Sequence, residues 1–217
     1  STQEDFGLYE ATRHLSIVKE SAISTAADIA EAEAALQCKL AAKAEPSEAA
    51  LLSRLHWWTV EYGLVGALDD YKLFGAGLLS SLGESRNCLD DRRVSKLPLT
   101  VNCVATDYDI TREQPQLFVT ASCKHLTQVL EEFARGMAVS QGGARSLRKA
   151  RDSGTVATAV YSSGLQLSGR ITQVLTDAVD NEIYIGTQGP TQLAYADKEL
   201  DGHGRQYHAD GFGSPVG

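Results

Sequence analysis

No stretch of this 217-residue chain approaches the ~20 consecutive apolar residues that a membrane-spanning helix requires. Nor is there a basic block: the densest run, RSLRKAR at 145–151, is short and reads as a solvated helix face. A net charge of −8 and an isoelectric point near 5.1 argue against nucleic acid or an anionic membrane surface as a partner. The four cysteines, Cys38, Cys88, Cys103 and Cys123, form no C-x-x-C pair, which argues against a zinc site. They read instead as reduced, mostly packed thiols in a cytoplasmic setting. No G-K-[ST] follows a Gly-rich stretch, so a phosphate loop is excluded. A secretory leader is not visible, and the absent initiator Met with an abrupt Gly-rich finish reads as a piece of a longer protein.

Hydrophobic residues make up 43% and charged residues 22%, ordinary for a globular chain that can bury one large core or two small ones. Residues 5–44 are dense in strong helix formers. Ile29, Ala32, Leu36 and Leu40 recur at spacings of three and four, so a surface helical hairpin is expected. Pro46 ends it. Ser47 with Glu48 caps a helix expected from about Ser47 to Val65, with Leu51, Leu55, Trp58, Tyr62 and Val65 on one stripe. Gly63 and Gly66 mark its end, and Asp69–Asp70 the following turn. LPLTVNCVA and QLFVTAS predict a short β-hairpin with strands near 98–121. Lys124 to Val139 follows as a helix with Leu126, Val129, Leu130, Phe133 and Met137 on one face. From about Thr155 the chain is β-rich, broken by Gly, Asn and Asp turns. The expected class is α+β: a mainly helical portion over residues 1–150, then a small β-rich module over 151–217.

One carboxylate, Glu61, lies among Trp57, Trp58, Tyr62 and Leu64. An unpaired carboxylate is costly on an aromatic surface, so it takes a strong partner, a metal included, or faces solvent. Arg54 is seven residues back, beyond the reach of a helical ion pair, which leaves both readings open. The block Phe74–Glu84, FGAGLLSSLGE, adds glycines that permit close backbone approach and the hydroxyls of Ser80 and Ser81. Read alone, a Gly-rich turn with capping serines accounts for it.

Taken together, WWTVEYGL at 57–64 and GAGLLSSLGE at 75–84 resemble the aromatic amino acid hydroxylases, pterin-dependent non-haem iron enzymes, over roughly residues 47–136. The resemblance implies that Glu61 is the carboxylate ligand of Fe(II). Two histidine ligands precede this block in the family and have no counterpart here. It implies Trp57 and Tyr62 beside the aromatic amino acid, with Gly77 and Ser80 at its backbone end. Ser80 would also take a catalytic part, supporting an iron-ligating histidine by a hydrogen bond. Tyr108 and Ile110, upstream of Gln114 and Pro115, would shape the mouth of the site. His56 stands where the family has a Tyr beside tetrahydrobiopterin, so it is the cofactor-binding position. The activity implied is ring hydroxylation with O2, phenylalanine to tyrosine by analogy with the longer bacterial branch, which also carries a C-terminal extension. Compact members end in a short tetramerisation arm, from which this chain departs; a homo-oligomer stays open as a partner. Without the two histidines the isolated chain is expected to be inactive and its parent active. The alternative is a non-catalytic remnant or interaction module that keeps the fold.

His203 and His208 repeat the H-x4-H spacing of the ligand pair, but they follow Glu61 in a Gly-rich loop, where two neutral histidines are expected. His14 and His125 read as ordinary helix residues.

Overall fold

The computed structural model describes residues 2–42, 45–110 and 112–216; positions 43–44 of the expected hairpin and Thr111 before Gln114 lie outside the described residues. In chain order come α1 (Gln3–Glu20), α2 (Ala26–Ala42), α3 (Glu48–His56), β1 (Leu64–Gly66) and β2 (Tyr71–Leu73). Next are α4 (Ala76–Ser80), α5 (Leu82–Asn87), β3 (Ser95–Pro98), β4 (Gln116–Thr120) and α6 (Cys123–Gly136). The last part holds α7 (Ala138–Gln141), α8 (Gly143–Ser153), β5 (Val156–Val160), β6 (Leu165–Thr176), β7 (Glu182–Tyr195), β8 (Lys198–Glu199) and β9 (Gly213–Pro215). Helices occur with two separate sheets among the described residues, one mixed and one antiparallel, so the expected α+β class holds. Among the described residues no helix is long and apolar enough to cross a membrane. Pro46–Met137 forms one compact unit, and the remaining described residues form a second.

In the unit Pro46–Met137, Ser47 Oγ caps α3 by accepting from Ala50 N–H at 3.1 Å. Leu55, Trp58, Leu64, Leu78 and Leu117 form its buried centre; full burial of one such side chain is worth ~1.5–3 kcal/mol. The helix expected to reach Val65 stops at His56. Trp57–Glu61 is a π-helical turn in which Tyr62 N–H donates to the Trp57 carbonyl at 2.8 Å. Leu64 and Val65 then leave as a strand, parallel to Val119 and Thr120 and antiparallel to Leu73 and Lys72. Tertiary strand pairing overrides the helical period there. The hairpin of this unit is therefore β1–β2, turning at Asp69–Asp70, where Ala67 N–H donates to Asp70 O at 2.9 Å.

The strands expected near 98–121 are not a hairpin: β3 and β4 pair in parallel, in a sheet of order β2-β1-β4-β3. Of LPLTVNCVA, the strand takes only Leu97 and Pro98, and Val101–Ala105 coils into a 3₁₀ helix that buries Cys103. Leu99 N–H still donates to Val119 O at 2.9 Å, but β4 ends at Thr120, so beyond that point a longer β3 would find no partner among the described residues. Ser122 caps α6, its Oγ accepting from His125 N–H at 3.1 Å. It buries Val129 and packs Leu126 and Phe133, whereas Leu130 is exposed.

In the other unit, α1 and α2 form the expected helical hairpin, with Ala32 buried and Leu40 exposed. The antiparallel sheet runs β5-β6-β7-β8, with β9 also on β7. Leu167, Ile171, Ile185 and Leu193 form its core. Arg148, in the run expected to be a solvated face, makes a surface pair with Asp180 at 2.9 Å.

Candidate active site

Glu61 sits at the end of the π-helical turn. Thr59 anchors that turn by donating its hydroxyl to the Leu55 carbonyl at 2.7 Å. Widened turns of this kind inside helices recur at functional sites. The Gly-rich block lies directly against the turn. A Cβ at Gly75 would stand 2.3 Å from the Glu61 carbonyl oxygen, and one at Gly77 would stand 2.9 Å from Glu61 Oε2. The absence of a side chain at both positions is what lets α4 approach. Glu61 is half-buried, and among the described residues nothing donates a hydrogen bond to its carboxylate or pairs with it. Arg54, the nearest cation along α3, is engaged elsewhere: with Val104 O at 3.2 Å and Asp107 Oδ2 at 3.0 Å.

Beside Glu61 stands a three-ring stack. Trp57 packs face to face with Tyr62 at 4.5 Å and with Tyr108 at 4.3 Å, with interplanar angles of 19° and 9°. Trp57 Nε1 is buried and has no acceptor among the described residues. Tyr62 Oη donates to Glu84 Oε2 at 2.9 Å. Burial, the bond to Glu84 and the charges of Glu84 and Glu61 push the Tyr62 hydroxyl up to about 12. Burial, with the adjacent Asp107 charge, also raises Tyr108, and Arg54 partly offsets this. Tyr108 is carried in by a loop that buried Gln114 closes, donating to Asp109 O at 2.7 Å and Arg112 O at 2.9 Å.

The structure thus brings together Glu61, Trp57, Tyr62, Gly77 and Tyr108. Ser80 lies on α4 with Gly77, is exposed, and donates its hydroxyl to the Gly77 carbonyl at 2.8 Å. His56 and Ile110 are exposed, and among the described residues no hydrogen bond or ring contact joins either to Glu61 or the stack. Sequence reasoning missed Glu84; the S-x-x-E spacing from Ser81 marks it only as a helix-capping residue and carries no signal for its bond to Tyr62. It also missed Asn87, whose Nδ2 donates to Glu113 Oε1 at 2.9 Å and Oε2 at 3.0 Å.

Glu61 supplies one oxygen ligand of the kind a non-haem iron site uses. Among the described residues no three His, Cys, Asp or Glu side chains converge, so these residues fit one position of such a site and not the whole. In the other unit, His203 Nδ1 and His208 Nε2 lie 2.9 Å apart, a hydrogen-bond distance at which one ring spends its lone pair on the other.

The model of the biopterin-dependent aromatic amino acid hydroxylase family matches residues 22–142, more than half of the chain. This chain belongs to that family. The phenylalanine-4-hydroxylase of Bos taurus is 40% identical to this chain over 84 residues, 38% of this chain and 18% of the relative. That of Pseudomonas aeruginosa is 35% identical over 94 residues, 43% of this chain and 36% of the relative. The chain therefore spans well under half the length of these relatives. It is also similar to the iron- and phenylalanine-bound crystal structure of phenylalanine hydroxylase from Chromobacterium violaceum. The two share 30% identity over 47% of this chain and 37% of that one, with a TM-score of 0.37. Glu61, Gly77 and the three stacked rings fall inside the family match, and β5–β9 fall outside it.

Proposed function

We propose that this chain is part of a pterin-dependent non-haem iron monooxygenase that converts phenylalanine to tyrosine with O2. One observation carries the reading: a half-buried carboxylate on a π-helical turn, without a partner among the described residues, next to an aromatic stack. Family membership supports it.

In this reading Glu61 is the carboxylate ligand of Fe(II). The Tyr62–Trp57–Tyr108 stack is an aromatic wall for the side chain of the amino acid. Gly77 and Ser80 border the backbone end of the amino acid, Ile110 the mouth, and His56 the pterin side. Bound iron and tetrahydrobiopterin would supply the activation of dioxygen. The residues of this chain orient the ring and exclude water around it. One carboxylate binds Fe(II) weakly, so two histidines outside this chain complete the site, and the 217-residue chain alone is inactive. Residues 1–150 carry the catalytic-domain portion, and 151–217 form an extension of a cytoplasmic enzyme.

The test is tyrosine formation from phenylalanine by the full-length protein supplied with Fe(II), tetrahydrobiopterin and O2. The full-length protein is expected to turn over, and its Glu61→Ala variant and the isolated chain to form no tyrosine. A full-length protein that binds the amino acid but forms no product would instead mark a non-catalytic module.

A further inference from the structure

Ser81-Leu82-Gly83-Glu84 has the S-x-x-E form of a capping box, in which the carboxylate returns to the backbone N–H of the cap residue. α1 closes its box fully: Asp5 N–H donates to Thr2 Oγ1 at 3.1 Å, and Thr2 N–H donates to Asp5 Oδ2 at 2.7 Å. α5 makes only the first half, with Glu84 N–H donating to Ser81 Oγ at 3.4 Å. The Glu84 carboxylate is diverted to the hydroxyl of Tyr62, 22 residues away in sequence, at 2.9 Å. A hydroxyl bonded to a carboxylate is charge-assisted and directional, so it anchors the far end of the Tyr62 ring where that ring meets Trp57. Further along α5, Asn87 grips Glu113, and Arg93 Nη1 donates to Asn87 Oδ1 at 3.1 Å. Glu113 precedes Gln114, whose bonds close the loop that brings Tyr108 to the other face of Trp57. α5 thereby tethers both outer rings of the stack.

We propose that Glu84 is a positioning residue for the aromatic substrate. It acts through Tyr62 Oη to hold the stack in one setting, so its loss loosens substrate binding and leaves the chemical step in place. The kinetic consequence rests on the hydroxylase reading; the effect on the stack does not.

Two readouts separate these. Near-UV circular dichroism of the chain follows the indole bands of the stack, and steady-state kinetics of the full-length enzyme follow the substrate. Glu84→Ala is expected to weaken the indole bands and to raise KM for phenylalanine about fivefold, with kcat changed by less than about twofold. Glu84→Gln, which keeps an acceptor for the hydroxyl, restores both. In a Tyr62→Phe background, adding Glu84→Ala changes neither any further, the non-additivity expected of two residues joined by one bond. An undiminished Glu84→Ala effect in the Tyr62→Phe background would overturn the proposal, as would a fall in kcat with KM unmoved. Unchanged dichroism in a folded Glu84→Ala chain would overturn it as well. Coupled dichroism in the chain, with no tyrosine formed by the full-length wild type, supports the positioning of the stack and removes the hydroxylase reading alone.

Discussion

A Cβ on residue 77 would stand 2.9 Å from Glu61 Oε2 and 3.0 Å from Tyr62 Cε2. Gly77→Ala therefore has to push the carboxylate or the ring aside, at a cost of ~1–3 kcal/mol typical of overpacking. Gly75→Ala is expected to cost more, because its Cβ would meet the Glu61 carbonyl at 2.3 Å, and backbone cannot rotate away. Urea unfolding of the two variants checks the order.

Trp58 is fully buried, donates Nε1–H to Thr106 O at 2.9 Å, and packs on Phe118 at a centroid distance of 5.3 Å. Trp58→Phe keeps most of the packing but strands the Thr106 carbonyl, for a loss of ~1–3 kcal/mol. Trp58→Ala also opens a cavity and should lose ~3–5 kcal/mol. Equilibrium denaturation midpoints, with the slope unchanged, would register both.

Burial pushes the Cys103 thiol up to about 11 and raises Cys88 as well, while Cys38 and Cys123 are exposed. A thiol reagent at pH 8 should label Cys38 and Cys123 in the native chain, and all four cysteines once the chain is unfolded. Because the folded value of Cys103 lies above its ordinary value of 9.0, its contribution to stability is complete below pH 9 and disappears as pH rises through about 11. Stability measured across that window should fall less steeply in Cys103→Ala.

Leu64 and Val65 show where reading a periodicity ends. Val65 continues the helical stripe of Leu55, Trp58 and Tyr62, yet Val119 and Thr120 claim Leu64 and Val65 as strand partners from far along the chain. Val101–Ala105 has strand-forming content and coils into 3₁₀ for the complementary reason, that no strand is left to pair with. What was legible was local. Ser47 starts α3 by accepting from a backbone N–H three residues on, and Trp57, Glu61 and Tyr62 are neighbours in sequence. The Tyr108 stack and the Glu84–Tyr62 bond depend on tertiary approach, and no spacing along the chain encodes them.

The central claim is that Glu61 is an iron ligand. It is tested most directly by the iron content of the full-length protein after anaerobic loading with Fe(II), measured beside its Glu61→Ala variant. The account predicts near-stoichiometric iron in the wild type and a loss of most of it in a folded Glu61→Ala protein. Equal iron in the two proteins, whether high or negligible, would contradict it.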